Sequence, residues 1–402
     1  MCPEEITLES YREAAPAGAV EALLRLADRV RGRRVVHVSS TRIGGGVAEI
    51  LHRLTPLLNS VGVVTRWEVL DGDLDFFLTT KALHNALQGA APTITAGMRA
   101  YYVEVNRRNA ERLQIDGDVV FVHDPQPAAL IGGGPRAGRW VWRCHVDLAT
   151  PERRAWSFLR RWITRYDAAV VSSPAFAQHL PIPQFLIYPS IDPLAEKNRW
   201  MSVPEIQKTL EALGVSDDKP LLVQVSRFDR FKDPLGVIRA YRMIKRYHDV
   251  RLVLAGGTAS DDPEGAQVLA EVREAAGQDR DIHVLGLPAD AHVQINALQR
   301  AATIVIQKSL REGFGLTVAE AMWKGKPVVG GATGGIAAQV IDGETGYAVH
   351  SVETAVHRIC HLLSQPTLRR KMGEAAHRRV KEHFLITREL RDHLALLAAL
   401  KT

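Results

Sequence analysis

Short β-branched runs alternate with helix patterns along most of the chain, and that alternation leaves few folds open. In the first half the strand-like runs are Arg34 to Val38, Val63 to Val69, Asp118 to His123, Val141 to His145 and Ala168 to Ser172. Helix patterns fit between them, notably Val47 to Asn59 and Glu152 to Arg165. The second half repeats the scheme with Leu221 to Val225, Arg251 to Leu254, Ile282 to Val284, Thr303 to Ile306 and Lys326 to Val329. This order predicts an α/β chain with parallel sheets, because a parallel neighbour is reached only through a long crossover. A chain of 402 residues exceeds one core, so two units are expected. Pro181, Pro183, Pro189 and Pro193 cluster before the segment from Lys197 to Pro204, after which a helix pattern runs from Pro204 to Leu213. The linker is therefore expected near residues 190 to 204.

The stretch from Arg311 to Val329 carries the strongest chemical signal. Glu312 and Glu320 stand eight positions apart, separated by Gly313-Phe314-Gly315 and a helix pattern from Thr317 to Lys324, with a β-branched run after Pro327. The first turn of a helix has unpaired N–H groups and a positive dipole end. Backbone donors from Gly315 to Thr317, Leu316 included, can therefore hold a phosphate, while the two glycines allow close approach. Glu320, one turn in, can reach a ribose; Glu312, in the loop, can reach another hydroxylated ring.

Three further clusters sit at strand ends. After the first strand comes Thr41-Arg42-Ile43-Gly44-Gly45-Gly46, a loop whose glycines allow a ligand near the carboxyl end of a sheet. Taken alone it is equally a tight turn, and it lacks the dinucleotide-binding pattern. Arg227 and Lys232 follow Leu221 to Val225 and can neutralise a diphosphate, unless they are solvated cations matched to Asp229 and Asp233. Val122-His123-Asp124-Pro125 and Trp142-Arg143-Cys144-His145 make Asp124 and His145 candidates, although a lone strand-end histidine is more often a satisfied core residue. Asp71-Gly72-Asp73 reads as a turn rather than a metal-binding carboxylate pair.

Composition excludes other classes. A net charge of +6 is too weak and dispersed for a nucleic-acid surface. Cys2, Cys144 and Cys360 lack metal or disulfide spacing, which suits a reducing compartment. Without an apolar leader pattern or a long apolar span, a cytoplasmic protein with no membrane partner is expected. Zinc-hydrolase, esterase and P-loop signatures are missing from the sequence.

The Glu312 to Glu320 pattern resembles the E-x7-E motif of retaining nucleotide-sugar glycosyltransferases of GT-B architecture. The strings GGGVAEIL from Gly44, HNALQG from His84, VHDPQPAAL from Val122, WRCHVDL from Trp142, PSIDPLAEKN from Pro189 and DDPEG from Asp261 further resemble the trehalose glycosyltransferring synthase group. That resemblance implies two Rossmann-like domains facing an interdomain cleft: an acceptor domain over 1–197, a donor domain over 198–385, and a C-terminal helix over 386–402 that packs back on the first. It implies reversible transfer of glucose from a nucleoside diphosphate glucose to free glucose, giving α,α-trehalose, with the departing phosphate as the base. Glu312 would face the donor sugar and Glu320 the ribose; Leu316 and Thr317, behind Gly313, Phe314 and Gly315, would hold the diphosphate with Arg227 and Lys232. His145 would contact the donor sugar, Asp124 would lie near the acceptor, and Gly45 and Gly46 would close over the donor phosphates. No metal or tightly bound cofactor is implied; Mg2+ stimulation, a homodimer, and UDP, ADP or GDP as the carrier stay open. The rivals are a retaining trehalose phosphorylase, another retaining nucleotide-sugar glycosyltransferase, a sugar-nucleotide epimerase or hydrolase on the same two-domain architecture, and a nucleotide-sugar-binding module without turnover.

Overall fold

A computed structural model describes residues 7–43, 45–134, 136–257 and 263–400. The chain forms two compact units, one from residues 1–190 with 385–402 and the other from residues 191–384. The division falls at Ser190/Ile191 and not at 197/198. The reason is that the segment after Ser190 bonds within the second unit. Asn198 Nδ2 donates to Asp192 O at 2.9 Å, and Asn296 Nδ2 donates to the carbonyls of Glu196 and Arg199 at 2.8 and 2.9 Å.

In the first unit the strands are β1 (Arg34–Ser39), β2 (Val64–Val69), β3 (Val119–His123), β4 (Arg139–Cys144), β5 (Ala168–Val171) and β6 (Gln184–Leu186). Its helices are α1 (Ala19–Asp28), α2 (Gly45–Ser60), α3 (Leu74–Leu87), α4 (Ala96–Arg112) and α5 (Arg153–Ile163). The second unit contains α6 (Val203–Ala212), β7 (Leu221–Val225), α7 (Pro234–Ile244), β8 (Arg251–Gly256), α8 (Pro263–Ala276), β9 (Ile282–Gly286) and α9 (His292–Ala301). It continues through β10 (Ile304–Gln307), α10 (Leu316–Trp323), β11 (Val328–Gly331), α11 (Gly334–Gln339), β12 (Gly346–Val349), α12 (Val352–Ser364) and α13 (Pro366–His383). The last helix, α14 (Ile386–Ala399), belongs to the first unit, where it packs on α1 and α2.

Both sheets are parallel, with strand orders β2-β1-β3-β4-β5-β6 and β12-β11-β10-β7-β8-β9. Helices cover both faces of such a sheet, which is why β3, β5, β7 and β10 are buried from end to end and read as continuous apolar runs. In each sheet the strand order reverses once, between β1 and β3 and between β7 and β10. Chain segments leave those strand pairs in opposite directions, so a crevice opens at their carboxyl ends.

Two strands were not expected. β6 lies within the proline cluster and β12 begins on Gly346, and both are sheet edges, the positions that tolerate such residues. β4 starts earlier than expected and ends at Cys144, leaving His145 just beyond it. α2 begins at Gly45, so Gly45 and Gly46 occupy a first helical turn and not a loop; Gly44 lies outside the described residues. Asp73 caps α3, accepting from Phe76 N–H at 2.9 Å, and Tyr101 Oη donates to its other oxygen. Among the described residues no helix is long and apolar enough to cross a membrane.

Candidate active site

The crevice of the second unit is built by the loops after β7 and β10. Asp229 caps a short turn at Arg230–Lys232, accepting from Phe231 N–H at 2.7 Å. Leu310 N–H donates to Phe231 O at 2.7 Å, and Lys308 pairs with Asp233, so the two loops are fastened at two points. As a result Lys232 Nζ donates to Glu312 Oε2 at 2.6 Å, although the residues are 80 positions apart. Ser309 Oγ donates to the same oxygen at 3.1 Å. Arg227 stays more open: its side chain is 40% exposed, and Nη2 lies 4.0 Å from Asp229 Oδ2.

Behind Glu312 the chain turns into α10 through Gly315, whose φ of 84° is the left-handed conformation that glycine adopts without strain. Gly315 offers no side-chain cap, so the N–H groups of Leu316 and Thr317 open the helix with neither an intrahelical partner nor a side-chain cap. The preceding loop is clamped from beneath. Gln339 Nε2 donates to Phe314 O at 2.6 Å, and Gly335 N–H donates to Glu312 O at 3.1 Å. A Cβ on Gly335 would sit 2.3 Å from Phe314 Cα, so only glycine allows that clamp. Cations, a carboxylate and the positive end of a helix therefore converge, which suits a ligand with both a diphosphate and hydroxyl groups.

Glu320, expected to contact a ribose, lies one turn into α10. It is fully buried, with Lys197 Nζ 2.8 Å from Oε1 and Gln299 Nε2 donating to Oε2 at 3.5 Å. Lys197 was assigned to the linker, and its sequence spacing from Glu320 carries no signal of the pairing.

In the first unit the crevice lies beyond β1 and β3. Asp124 follows β3 with φ 68°, a conformation few non-glycine residues adopt, and it is held there from three sides. Its N–H donates to Arg143 O at 2.8 Å, its carbonyl accepts from Trp142 Nε1 at 3.0 Å, and its Oδ1 accepts from His145 N–H at 2.6 Å. The two residues predicted here thus meet directly. His145 Nε2 lies 3.0 Å from His123 Nδ1, and His123 Nε2 lies 2.9 Å from His37 Nδ1. His37, His123 and the fully buried Arg143 were not singled out; the signal was present as polar residues on alternate positions of otherwise apolar strands.

Burial pushes the Asp124 carboxyl up to about 7 from 3.8, against the opposing pull of the His145 N–H and Arg143. The folded protein therefore keeps a proton that the unfolded chain has released. The stabilisation is whole below pH 3.8 and is lost as the pH rises through about 7. Asp124→Asn keeps the acceptor oxygen and tolerates the left-handed backbone. It is expected to be more stable than the parent at pH 8 by on the order of 2 kcal/mol, and no more stable at pH 4. Urea unfolding at the two pH values measures the difference; a gain independent of pH would mean that the carboxyl titrates normally.

Two parallel-sheet α/β units, each with polar loops at its strand-order reversal, have the architecture of the GT-B glycosyltransferases. The solved α,α-trehalose-phosphate synthase (UDP-forming) from Burkholderia xenovorans, in complex with glucose-6-phosphate, has the same fold, with a TM-score of 0.72 over 92% of this chain and 100% of that one at 15% identity. Residues 37–178 match the family model "Trehalose synthase, N-terminal domain", and residues 205–379 match "Glycosyl transferases group 1". The trehalose synthase of Pyrococcus horikoshii is 44% identical over 98% of this chain and 96% of its own. A trehalose phosphorylase from Pleurotus pulmonarius is 28% identical over 93% of this chain but only 58% of its own. The chain belongs to the trehalose synthase family and is a glycosyltransferase.

Proposed function

We propose that the protein transfers glucose from a nucleoside diphosphate glucose to free glucose with retention, giving α,α-trehalose and the nucleoside diphosphate. The observation that carries the donor class is the Lys232 to Glu312 pair at 2.6 Å in front of the side-chain-free N-terminus of α10. A cation and helix N–H groups suit the diphosphate, and a carboxylate beside them suits sugar hydroxyls. The acceptor and product follow the activity after which the 44% identical relative is named.

In this reading Arg227 and Lys232 stabilise the charge that develops on the departing diphosphate, together with the N–H groups of Leu316 and Thr317. The glucosyl carbon gains oxocarbenium character as its bond to the phosphate oxygen breaks. The acceptor hydroxyl attacks from the same face, and its proton passes to the phosphate oxygen that leaves. No covalent carboxylate is required. Glu312 and His145 orient the donor sugar, and Asp124 orients the acceptor.

Because the leaving group doubles as the base, the reverse reaction uses the same groups. Trehalose incubated with a nucleoside diphosphate is expected to yield the nucleotide sugar and glucose, resolved by chromatography. Conversion of trehalose with inorganic phosphate alone to glucose 1-phosphate would assign the chain to phosphorolysis instead.

A further inference from the structure

Three imidazoles form a line across one face of the first sheet. The strand register pairs His37 with Phe121 and His123 with Arg143, and alternation along β3 places residues 121 and 123 on one face. His145, one residue past β4, continues the line. The rings join end to end through contacts of 2.9 Å and 3.0 Å. A neutral imidazole has one N–H and one lone pair, so each contact needs a donor on one ring and an acceptor on the next. Burial keeps His37 near 3 and pushes His123 and His145 well below their usual value, so all three rings are neutral at physiological pH.

Only two arrangements then satisfy both contacts: every ring protonated on Nδ1, or every ring protonated on Nε2. The second would bury a His37 Nε2–H that has no partner among the described residues. Unsatisfied buried donors are rarer than unsatisfied acceptors. The buried Arg143 guanidinium, whose nitrogens also find no hydrogen-bond acceptor among the described residues, adds to the preference, because its positive field favours lone pairs over further N–H groups.

We propose that His123 and His37 are positioning residues that lock His145 in the Nδ1–H tautomer through two shared hydrogens, making its remaining ring nitrogen a donor to a sugar oxygen. The last part rests on the reading of His145 as a donor-sugar contact. In this arrangement a group at the far end of the line sets which hydrogen-bonding partner the site can accept, without touching the ligand.

Nitrogen-15 spectra of the histidine rings in the ligand-free protein test the lock without reference to any reaction. Wild-type His145 is expected to carry its proton on Nδ1. His37 and His123 are expected to do the same. His123→Leu, which takes away the donor to the half-buried His145 ring, should move the His145 proton toward Nε2, the tautomer that free imidazole side chains favour. His123→Gln, whose amide N–H can donate in its place, should keep Nδ1–H. In steady-state assays His123→Leu should lose about 10- to 100-fold in kcat with the donor KM little changed. If His123→Leu fails to fold by circular dichroism, the wild-type spectrum decides by itself. A wild-type His145 protonated on Nε2, or an unchanged tautomer in folded His123→Leu, overturns the lock. A switched tautomer with wild-type kcat leaves the lock standing and removes His145 from the donor sugar.

Discussion

Arg227→Ala is expected to slow sugar transfer about 100- to 1,000-fold at saturating donor, which corresponds to roughly 2 to 4 kcal/mol of lost transition-state stabilisation. A guanidinium beside a breaking phosphate ester bond gains strength as negative charge accumulates, so its removal acts on kcat more than on donor binding. The structure makes this the cleaner of the two cation replacements. Arg227 is 40% exposed and lies at the long distance of 4.0 Å from Asp229, which keeps the Phe231 N–H when the guanidinium is removed. Removing Lys232 would strip Glu312, 9% exposed, of the ammonium 2.6 Å away and mix folding with catalysis. Arg227→Lys should recover only part of the rate, since a point charge replaces a two-pronged donor. Turnover within a few-fold of wild type in a folded Arg227→Ala protein would show that the diphosphate is held elsewhere.

Glu389→Ala should destabilise the first unit by about 3 to 5 kcal/mol. Glu389 on α14 is 1% exposed; Ser190 Oγ donates to it at 2.5 Å, and Arg143 Nη2 lies 4.0 Å from it. Burial raises the Glu389 carboxyl, offset in part by Arg388 and then by Arg143, and lowers the Arg143 guanidinium, offset in part by Glu389. The pair itself is therefore a weak net stabiliser. Taking away one member is costly because the other stays in the core uncompensated. Glu389→Gln, which keeps an acceptor for Ser190, should lose less than Glu389→Ala. Adding Arg143→Met to Glu389→Gln should recover much of the loss. Urea midpoints of the parent, Glu389→Gln, Arg143→Met and the double variant provide the cycle; additive losses would mean that the two side chains do not interact.

The alternation of β-branched and helical segments was enough to predict two parallel-sheet units, because each strand's character is local. Local sequence also exposed Glu312, Gly315, Arg227 and Lys232, whose surroundings of glycines and strand ends have a direct physical meaning. It did not show that Lys232 and Glu312 touch, because that depends on β7 lying next to β10, and strand order is a property of the whole sheet. The enclosed position of Glu320 was hidden for the same reason: its partner Lys197 comes from a segment that bonds into the second unit through Asn198 and Asn296. The polar stripe of His37, His123 and Arg143 was written in the strands. Its meaning depends on α14, which brings Glu389 and His393 over it, with His393 edge-on to Phe121 at 5.3 Å.

The return of α14 to the first unit has a consequence for how the protein is made. Arg33 donates to the carbonyl of Leu400 at 2.8 Å, and Glu389 receives Ser190, so the unit that begins the chain is closed by residues near its end. On the ribosome, the stretch up to Ser190 must wait, lacking α14 and holding Arg143 without its carboxylate, while the whole of residues 191–384 emerges. The second unit, drawn from one uninterrupted stretch, can fold first. Domains usually mature from the N-terminus as they are synthesised. Here the order is inverted, and the first unit reaches its final state only after translation has passed the second.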